Sequence, residues 1–236
     1  MMELYYSTKY RLRPSDFRGI GDTLSSTTIL DILQDLAGDH ATQLGLGFDD
    51  FIKRDLIWMI VSTKYEIIND IPMYAIVDAH TWPRKKGKID FFRDYKIDYN
   101  GKTCIKATTR WIIANVKTRH VYIPRDIDFY GEYHEENNNM EIEKLKDFDC
   151  TNLEKHTFKP MFMDLDHNGH VNNIKYATFI ENILELKKQI KSFTITYVKE
   201  SKLGDSVDIY VMKNDNVYDI KGMVNNETCF LARVEE

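Results

Sequence analysis

The order of the apolar segments constrains the fold of this chain more than any other feature, because the same order occurs twice. In each half, an alternating strand-like segment comes first, a long segment with helical spacing follows, and several strand-like segments complete the half. This order predicts an α+β unit duplicated in tandem, with one long helix packed on a curved antiparallel sheet in each unit.

The first half gives clear signals for its elements. Residues 4–12 alternate as a strand does, and Ser25 or Ser26 is placed to cap the helix that follows. The apolar face of that helix consists of Ile29, Leu33, Leu36, Ala37 and Leu44, and the glycines that would end it are Gly45 and Gly47. Strands are predicted at 56–67, 75–82, 90–99 and 102–115. The dipeptide Asn100-Gly101, between the last two strands, is typical of a hairpin turn.

The second half repeats this order. A strand is predicted at 154–164, and a helix at 172–190 has Ile174, Ala177, Ile180 and Leu184 on one face. Further strands are predicted at 192–200, 206–213, 217–224 and 227–235. Because the segment between the halves is acidic and rich in asparagine, we expect an N-terminal domain at 1–130, a linker at 131–154 and a C-terminal domain at 155–236.

Charge and cysteine content argue against several classes of protein. The net charge of −5 argues against general nucleic-acid binding. The three cysteines, Cys104, Cys150 and Cys229, form neither a metal-binding spacing nor a disulfide framework, which indicates a reducing cytoplasm. We expect no signal peptide or transit peptide, because residues 1–16 lack the apolar core of the first and the Arg- and Ser-rich, acid-poor composition of the second. We also expect no membrane span, because the chain has no run of the roughly 20 apolar residues that a spanning helix needs.

Residues 164–173, DLDHNGHVNN, concentrate polar groups in a short segment. Asp164, Asp166 and Asn168 are spaced like the first ligands of an EF-hand calcium loop. The twelfth position of that loop requires a glutamate, and here it is Lys175, whose charge would repel calcium. The sequence therefore argues against a calcium site.

The same segment supports a catalytic interpretation. If it is extended, Asp166, Asn168 and His170 share one face, whereas His167 points to the other side, which argues against a metal held by both histidines. The predicted helix follows directly, and its N-terminal amides would stabilise a developing oxyanion. A carboxylate, an amide and an imidazole beside a helix N-terminus suit acyl transfer to water. The alternative is a capped polar turn in which these side chains only satisfy backbone groups.

Four stretches of the chain resemble a known family. DLDHNGHVNNIKYATFIENIL is similar to the signature of the acyl-acyl-carrier-protein thioesterases of plants and bacteria, whose pattern is Asp-Leu-Asp-x-Asn-x-His-Val-Asn-Asn-x-Lys-Tyr. Gly169 stands where the plant members usually have Gln. ILQDLAGDHATQLGLG and RDLIWMIVSTKYEI resemble the family's first-half segment, and FTITYVKES resembles its strand ending in Arg-Glu-Cys. The resemblance covers nearly the whole chain.

This resemblance implies a double hotdog fold with acyl-chain specificity on the first hotdog and catalysis on the second. The family's catalytic Asp, Asn and His fall on Asp166, Asn168 and His170, and its catalytic Glu falls on Glu200. The neighbouring Cys of the plant enzymes is Ser201 here, which excludes a Cys–His nucleophile at that position. We expect Glu200 and His170 to activate a water, with Asn168 positioning the water or the carbonyl. Asp166 either supports this network or is itself the nucleophile.

The resemblance also implies a substrate and a partner. The substrate would be a fatty acyl chain on the phosphopantetheine arm of acyl carrier protein, hydrolysed without a cofactor. Because carrier proteins are acidic, the docking surface should be basic. The densest basic cluster consists of Arg84, Lys85, Lys86 and Lys88, although such a cluster is often simply solvated. We expect a monomer or a homodimer.

Two other classes compete with this interpretation. An acyl-coenzyme A thioesterase of the hotdog superfamily would share the catalytic residues and would not need to dock a carrier protein. A non-enzymatic acyl-binding hotdog protein is the second alternative, and the intact catalytic set argues against it. Candidates for lining an acyl tunnel, or for ordinary core, are Trp58, Met59, Phe91, Phe92 and Trp111.

Overall fold

The computed structural model of the protein describes residues 3–20 and 22–236, which divide into two units. Unit 1 comprises the chain up to Pro14 together with Asp31–Ile142, and unit 2 comprises Ser15–Leu30 together with Glu143–Glu236. The division after Ile142 lies inside the segment 131–154, and the boundaries expected at 130 and 155 stay predictions. Among the described residues, none of the helices combines the length and the apolar character that crossing a membrane requires.

The main sheet of unit 1 is antiparallel. The strands of this unit are β1 (Glu3–Leu4), β2 (Tyr6–Arg11), β3 (Leu56–Ile67), β4 (Ile76–Pro83), β5 (Phe91–Tyr99), β6 (Lys102–Asn115) and β7 (Glu132–Tyr133). The order in the sheet is β2-β4-β5-β6-β3, and β1 pairs with β7 separately. The predicted strands are confirmed here to within a few residues at their ends. Asn100 and Gly101 have φ angles of 51° and 72°, as the hairpin between β5 and β6 requires.

Helix α1 (Ser26–Gln43) begins and ends where the sequence predicts. The Ser25 hydroxyl accepts a hydrogen bond from the Thr28 N–H at 3.1 Å, which caps the first turn. The predicted apolar positions within the helix, Ile29, Leu33, Leu36 and Ala37, are buried. In unit 1 the helix packs on the sheet, because His40 Nδ1 lies 2.9 Å from the Arg93 guanidinium of β5. The chain leaves the helix near Gly45, whose φ is 68°, and continues into α2 (Phe48–Ile52).

An aromatic cluster lies in the core of unit 1. The Trp58 ring lies 5.0 Å from Phe51 and 4.9 Å from Phe91 between centroids, and its Nε1–H donates to the Leu46 carbonyl at 2.9 Å. Trp111 packs against the same cluster. The structure therefore places Trp58, Phe91 and Trp111, of the five tunnel candidates, together around one apolar core.

Unit 2 repeats the arrangement of one helix on one sheet. Its elements are β8 (Lys155–Phe158), α3 (Asn173–Leu184), β9 (Ser192–Tyr197), β10 (Val207–Asn214), β11 (Val217–Val224) and β12 (Glu227–Glu235). The antiparallel order is β9-β12-β11-β10-β8. Tyr176 of α3 packs against Phe230 of β12, with 5.0 Å between ring centroids. A long helix on an antiparallel sheet in each unit confirms the predicted α+β fold class.

Helix α3 is shorter than the sequence predicts. The prediction extended it to 190, which is wrong, because the helix ends at Leu184. Glu185 adopts a left-handed conformation with φ of 48°, and its N–H donates to the Glu181 carbonyl. This closes the helix without a glycine, so no residue in the sequence marked the end.

The strand predicted at 154–164 is also shorter in the structure. β8 ends at Phe158, and Pro160, which lacks an N–H, cannot continue a hydrogen-bonded ladder. One turn of 3₁₀ helix follows at Phe162–Asp164. Met161, Phe162 and Met163 are 67%, 77% and 79% exposed, so an apolar surface lies directly before residues 164–173.

Candidate active site

The segment from Leu165 to Val171 forms a tight turn. Leu165 and Val171 pair as antiparallel bridge partners, and the Asp166 N–H donates to the His170 carbonyl at 2.7 Å. Gly169 completes the turn with a φ of 78°, a backbone conformation that residues other than glycine rarely adopt. The expectation of an extended segment is therefore wrong, and alternation along a strand does not bring the polar groups together.

The Asp166 carboxylate holds this turn. Its Oδ1 atom accepts hydrogen bonds from the backbone N–H groups of Asn168 at 2.8 Å and His170 at 3.1 Å. Aspartate side chains commonly stabilise turns in this way, and a charged acceptor strengthens each bond. Asp166 therefore fixes the backbone from which the His170 side chain projects.

His170 and Glu200 form the closest pair among the predicted catalytic side chains. His170 Nε2 lies 3.3 Å from Glu200 Oε2, and both side chains are partly exposed, at 25% and 36%. Backbone pairing brings them together, since His170 bridges to Lys202 and the Val171 N–H donates to the Ser201 carbonyl at 2.8 Å. An imidazole supported by a carboxylate at a solvent-accessible position can remove a proton from water.

The Asn168 side chain lies apart from this pair. Asn168 is exposed at the tip of the turn. Within residues 3–20 and 22–236, the structure records no hydrogen bond from its side-chain amide to Asp166, His170 or Glu200. The structure thus brings His170 and Glu200 together and ties Asp166 to the turn, whereas the Asn168 amide remains available to a ligand.

Ser201 is buried, with 1% of its surface exposed. Its hydroxyl lies 2.7 Å from the Tyr176 hydroxyl. Burial raises the pKa of Tyr176 above its usual range, so this phenol stays protonated. Ser201 is therefore part of the core, which supports the expectation that it does not act as a nucleophile.

Sequence reasoning missed two residues that hold the site, Asp164 and Tyr176. Asp164 is buried; its Oδ2 accepts from the Met161 N–H at 2.8 Å, and its carbonyl accepts from the Asn172 N–H at 2.8 Å. Lys175 Nζ lies 3.7 Å from its Oδ1. Both residues belong to the motif, but only their three-dimensional contacts show that they stabilise the site and do not line it.

The N-terminus of α3 follows the turn directly. Asn172 caps it, because its Oδ1 accepts from the Ile174 N–H at 3.2 Å and its carbonyl accepts from the Lys175 N–H at 2.9 Å. For the Asn173 N–H, no acceptor is recorded among the described residues. This amide carries the partial positive charge of a helix N-terminus and can donate to an anion.

Two of the four predicted docking cations are engaged within unit 1. Arg84 contacts both oxygens of the fully buried Asp94, at 2.9 and 2.7 Å, and also the Met140 carbonyl. Lys86 donates to the Ile127 carbonyl and lies 3.3 Å from the Asp128 carboxylate. The two remaining cations, Lys85 and Lys88, are exposed.

Metal binding has no support in the arrangement of side chains. In the two stretches that the structure describes, no group of three or more His, Cys, Asp and Glu side chains is placed to hold a metal ion. The structure places the Glu200 carboxylate at His170, and α3 begins three residues further along the chain.

Two family models match the chain. The acyl-ACP thioesterase N-terminal domain matches residues 3–128, and the acyl-ACP thioesterase C-terminal domain matches residues 149–230. The second match contains the whole turn, the His170–Glu200 pair and α3. The resemblance seen in the sequence motifs is confirmed.

Curated relatives give the same result. An oleoyl-acyl carrier protein thioesterase of Coriandrum sativum is 28% identical over 87% of this chain and 62% of its own length. A palmitoyl-acyl carrier protein thioesterase of Cuphea hookeriana is 31% identical over 77% of this chain and 48% of its own length. The chain therefore spans about half to two thirds of the length of these relatives.

Solved structures of similar chains show the fold. An acyl-ACP thioesterase from Bacteroides thetaiotaomicron superposes with a TM-score of 0.89 at 21% identity, covering 98% of this chain and 97% of that one. The 12:0-ACP thioesterase from Umbellularia californica superposes with a TM-score of 0.86 at 19% identity, covering 100% and 98%. At these identities the likeness establishes the double hotdog fold and nothing about the substrate.

Proposed function

The chain belongs to the acyl-ACP thioesterase family, and from this premise we propose that it hydrolyses the thioester between a fatty acyl chain and the phosphopantetheine arm of acyl carrier protein. The products are a free fatty acid and the carrier protein with its thiol. The observation that carries the proposal is the 3.3 Å separation between His170, on the turn that bears the family's motif, and Glu200, on the segment that follows β9. The names of the relatives point to the same substrate class.

The proposed mechanism starts with water. Glu200 accepts the Nε2–H of His170 and orients the ring, so that Nδ1 removes a proton from a water molecule. The water oxygen bonds to the thioester carbonyl carbon, and the carbon–sulfur bond then breaks. The departing thiolate takes this proton from His170, which returns to its neutral form. Because a thiolate is a good leaving group, one acid–base pair suffices.

The charge that develops on the carbonyl oxygen needs hydrogen-bond donors. The proposed donors are the backbone amide of Asn173, at the start of α3, and the exposed side chain of Asn168. Both lie within three residues of His170 in the sequence. A preorganised amide at a helix N-terminus stabilises an oxyanion better than water does, because it does not have to reorient during the reaction.

Asp166 supports the turn in this mechanism. The two backbone hydrogen bonds to its Oδ1 favour this role over that of a nucleophile, which would have to give up part of that bonding to attack the carbonyl. We further propose that unit 1, with its aromatic cluster around Trp58, determines which acyl chains are accepted. Of the basic cluster, Lys85 and Lys88 are the proposed contacts to the carrier protein.

A reducing compartment suits the cysteines of this chain. Cys104, Cys150 and Cys229 are all free thiols, and Cys104 and Cys229 are buried. We propose the cytoplasm as the location on this ground.

The test is fatty acid release from matched acyl-ACP and acyl-coenzyme A thioesters, using the wild type and His170→Ala. We expect hydrolysis of the carrier-protein thioesters with a higher kcat/KM than of the coenzyme A thioesters, and a loss of roughly a thousandfold or more in the variant. A higher kcat/KM for the coenzyme A thioesters would contradict the proposed substrate and favour an acyl-coenzyme A thioesterase. Acyl binding without cleavage would contradict the enzymatic proposal.

A further inference from the structure

We propose that Tyr176 is a positioning residue, whose hydroxyl, through Ser201 and Cys229, holds the segment that carries Glu200 in place against His170. This inference rests on the proposed hydrolytic function and adds a residue to it. The segment in question is 198–202, which follows β9 and contains Glu200 between its two points of attachment.

The first attachment lies before Glu200. The N–H groups of Val198 and Lys199 both donate to the Cys229 carbonyl, at 2.8 and 3.0 Å. The Cys229 thiol in turn donates to the Lys199 carbonyl at 3.0 Å. Cys229 therefore fixes the backbone immediately before Glu200 by both its main chain and its side chain.

The second attachment lies after Glu200. The Ser201 carbonyl accepts from the Val171 N–H at 2.8 Å, and Lys202 bridges to His170. The Ser201 side chain points into the core, where its hydroxyl lies 2.7 Å from that of Tyr176. Glu200 lies between the two attachments, so they help to set its position.

Tyr176 joins the two attachments. Its hydroxyl meets Ser201 on one side and the Cys229 thiol, at 3.5 Å, on the other. Tyr176 is 2% exposed and lies one helical turn after Asn172, the residue that caps α3 just beyond His170. One hydroxyl thus connects the helix that follows His170 with both neighbours of Glu200.

A plainer account is that Tyr176 is a buried tyrosine whose hydroxyl happens to be satisfied. Under that account the substitution lowers stability, and activity falls only as far as the folded fraction does. The positioning account predicts a lower kcat in fully folded protein, because a small displacement of a catalytic group has a large effect on rate. The two accounts are separated by a variant that restores stability without the hydrogen bond.

The experiment compares Tyr176→Phe, Ser201→Ala and the double variant, with Tyr218→Phe as the matched control. Tyr218 is a buried tyrosine of unit 2 whose hydroxyl donates to Glu236 at 3.2 Å. In Tyr176→Phe we expect kcat to fall roughly tenfold to a hundredfold, with KM within about twofold because the acyl-binding groups are untouched. The double variant removes both hydroxyls and leaves neither unpaired, so its Tm should recover while kcat stays low.

Two further measurements sharpen the comparison. Ser201→Cys keeps a side chain that can hydrogen-bond to the phenol, so its kcat should stay within severalfold of the wild type. The ring NMR signals of His170 should move in Tyr176→Phe and remain in place in Tyr218→Phe, since only the first variant disturbs the neighbours of Glu200.

Recovery of kcat together with Tm in the double variant would overturn the inference, as would equal losses in Tyr176→Phe and Tyr218→Phe. If the wild type hydrolyses no thioester, the proposed function fails, and the His170 signals still decide the positioning role. Unmoved His170 signals in folded Tyr176→Phe would then reject it.

Discussion

At the scale of single residues, Asp166 has two candidate roles, that of a nucleophile and that of a hydrogen-bond acceptor that stabilises the turn. Its position in the motif allows it to be a nucleophile that forms an anhydride with the acyl chain. Its contacts make it the acceptor of two backbone N–H groups in the turn that carries His170. A neutral amide keeps this second role and abolishes the first, so one substitution separates them.

We expect Asp166→Asn to retain hydrolysis with kcat lowered by roughly tenfold, because its amide oxygen still accepts both hydrogen bonds, only more weakly than a carboxylate. The measurement is kcat, combined with mass spectrometry of the Asp166 peptide after turnover of the wild type in H₂¹⁸O. Complete inactivity of the variant, together with ¹⁸O in the wild-type carboxylate, would establish Asp166 as the nucleophile instead.

The residues of the site could be predicted only as far as local pattern reaches. The family resemblance made His170 and Glu200 candidates, but their 3.3 Å separation depends on the pairing of His170 with Lys202, which are far apart in sequence. The extended segment assumed for Asp166 to His170 was wrong, although Gly169 was a visible turn signal. The link between Tyr176 and Ser201 depends on packing between a helix and an irregular segment, which no periodicity encodes.

Among helices and strands, hydrophobic periodicity predicted the interiors and failed at the ends. The strands of the first half were predicted well, because alternation and the Asn100-Gly101 turn determine them locally. Helix α3 and β8 were both predicted too long. Helix α3 ends because Glu185 adopts a left-handed conformation, which a glutamate in the sequence does not predict. Pro160, which cannot donate to a ladder, marks the end of β8 in the sequence.

Gly222 of β11 is a position in a strand where the packing leaves no room for a side chain. A Cβ atom at this position would lie 2.1 Å from the Phe230 ring of β12, next to a register shift between Gly222 and Met223. We expect Gly222→Ala to lower the free energy of unfolding by about 1–3 kcal/mol, because a buried aromatic ring would have to move. Chemical denaturation measures this change.

The control is Gly38→Ala in the middle of α1, where a Cβ atom meets nothing within 4 Å. Alanine has the higher helix propensity, so this variant should gain about 0.5–1 kcal/mol. Equal effects from the two substitutions would mean that the contact between Gly222 and Phe230 does not constrain the sheet.

For the whole molecule, His40 is expected to make stability depend on pH. It is 2% exposed, and burial together with the neighbouring Arg93 guanidinium lowers its pKa from 6.5 to about 3. The folded chain therefore keeps His40 neutral, whereas the unfolded chain protonates it below pH 6.5. The free energy of unfolding should fall as the pH drops from about 6.5 toward 3, by up to about 1.4 kcal/mol per pH unit.

His40→Gln tests this assignment, since an amide oxygen can accept from Arg93 and does not titrate. Denaturation curves between pH 7 and 4 should show a shallower loss of stability in the variant than in the wild type. Parallel curves would assign the acid sensitivity to other groups.

The proposed association with a carrier protein also belongs to the scale of the whole molecule. We expect Lys85→Glu with Lys88→Glu to lower kcat/KM for an acyl-ACP roughly tenfold, and to leave the acyl-coenzyme A reaction within about twofold, because the cations act through an acidic partner. Lys102→Glu, at the first residue of β6, is the matched control. Equal effects on both substrates would place the docking surface elsewhere.

The exposed turn before the motif has a consequence for how the protein responds to oxidants. Met161 and Met163 are exposed and directly precede Asp164, which ties this turn to the start of α3. Peroxide converts such side chains into polar sulfoxides. Among the methionines that the structure describes, the two most exposed thus lie close along the chain to the turn that carries His170, and a methionine sulfoxide reductase would reverse their oxidation.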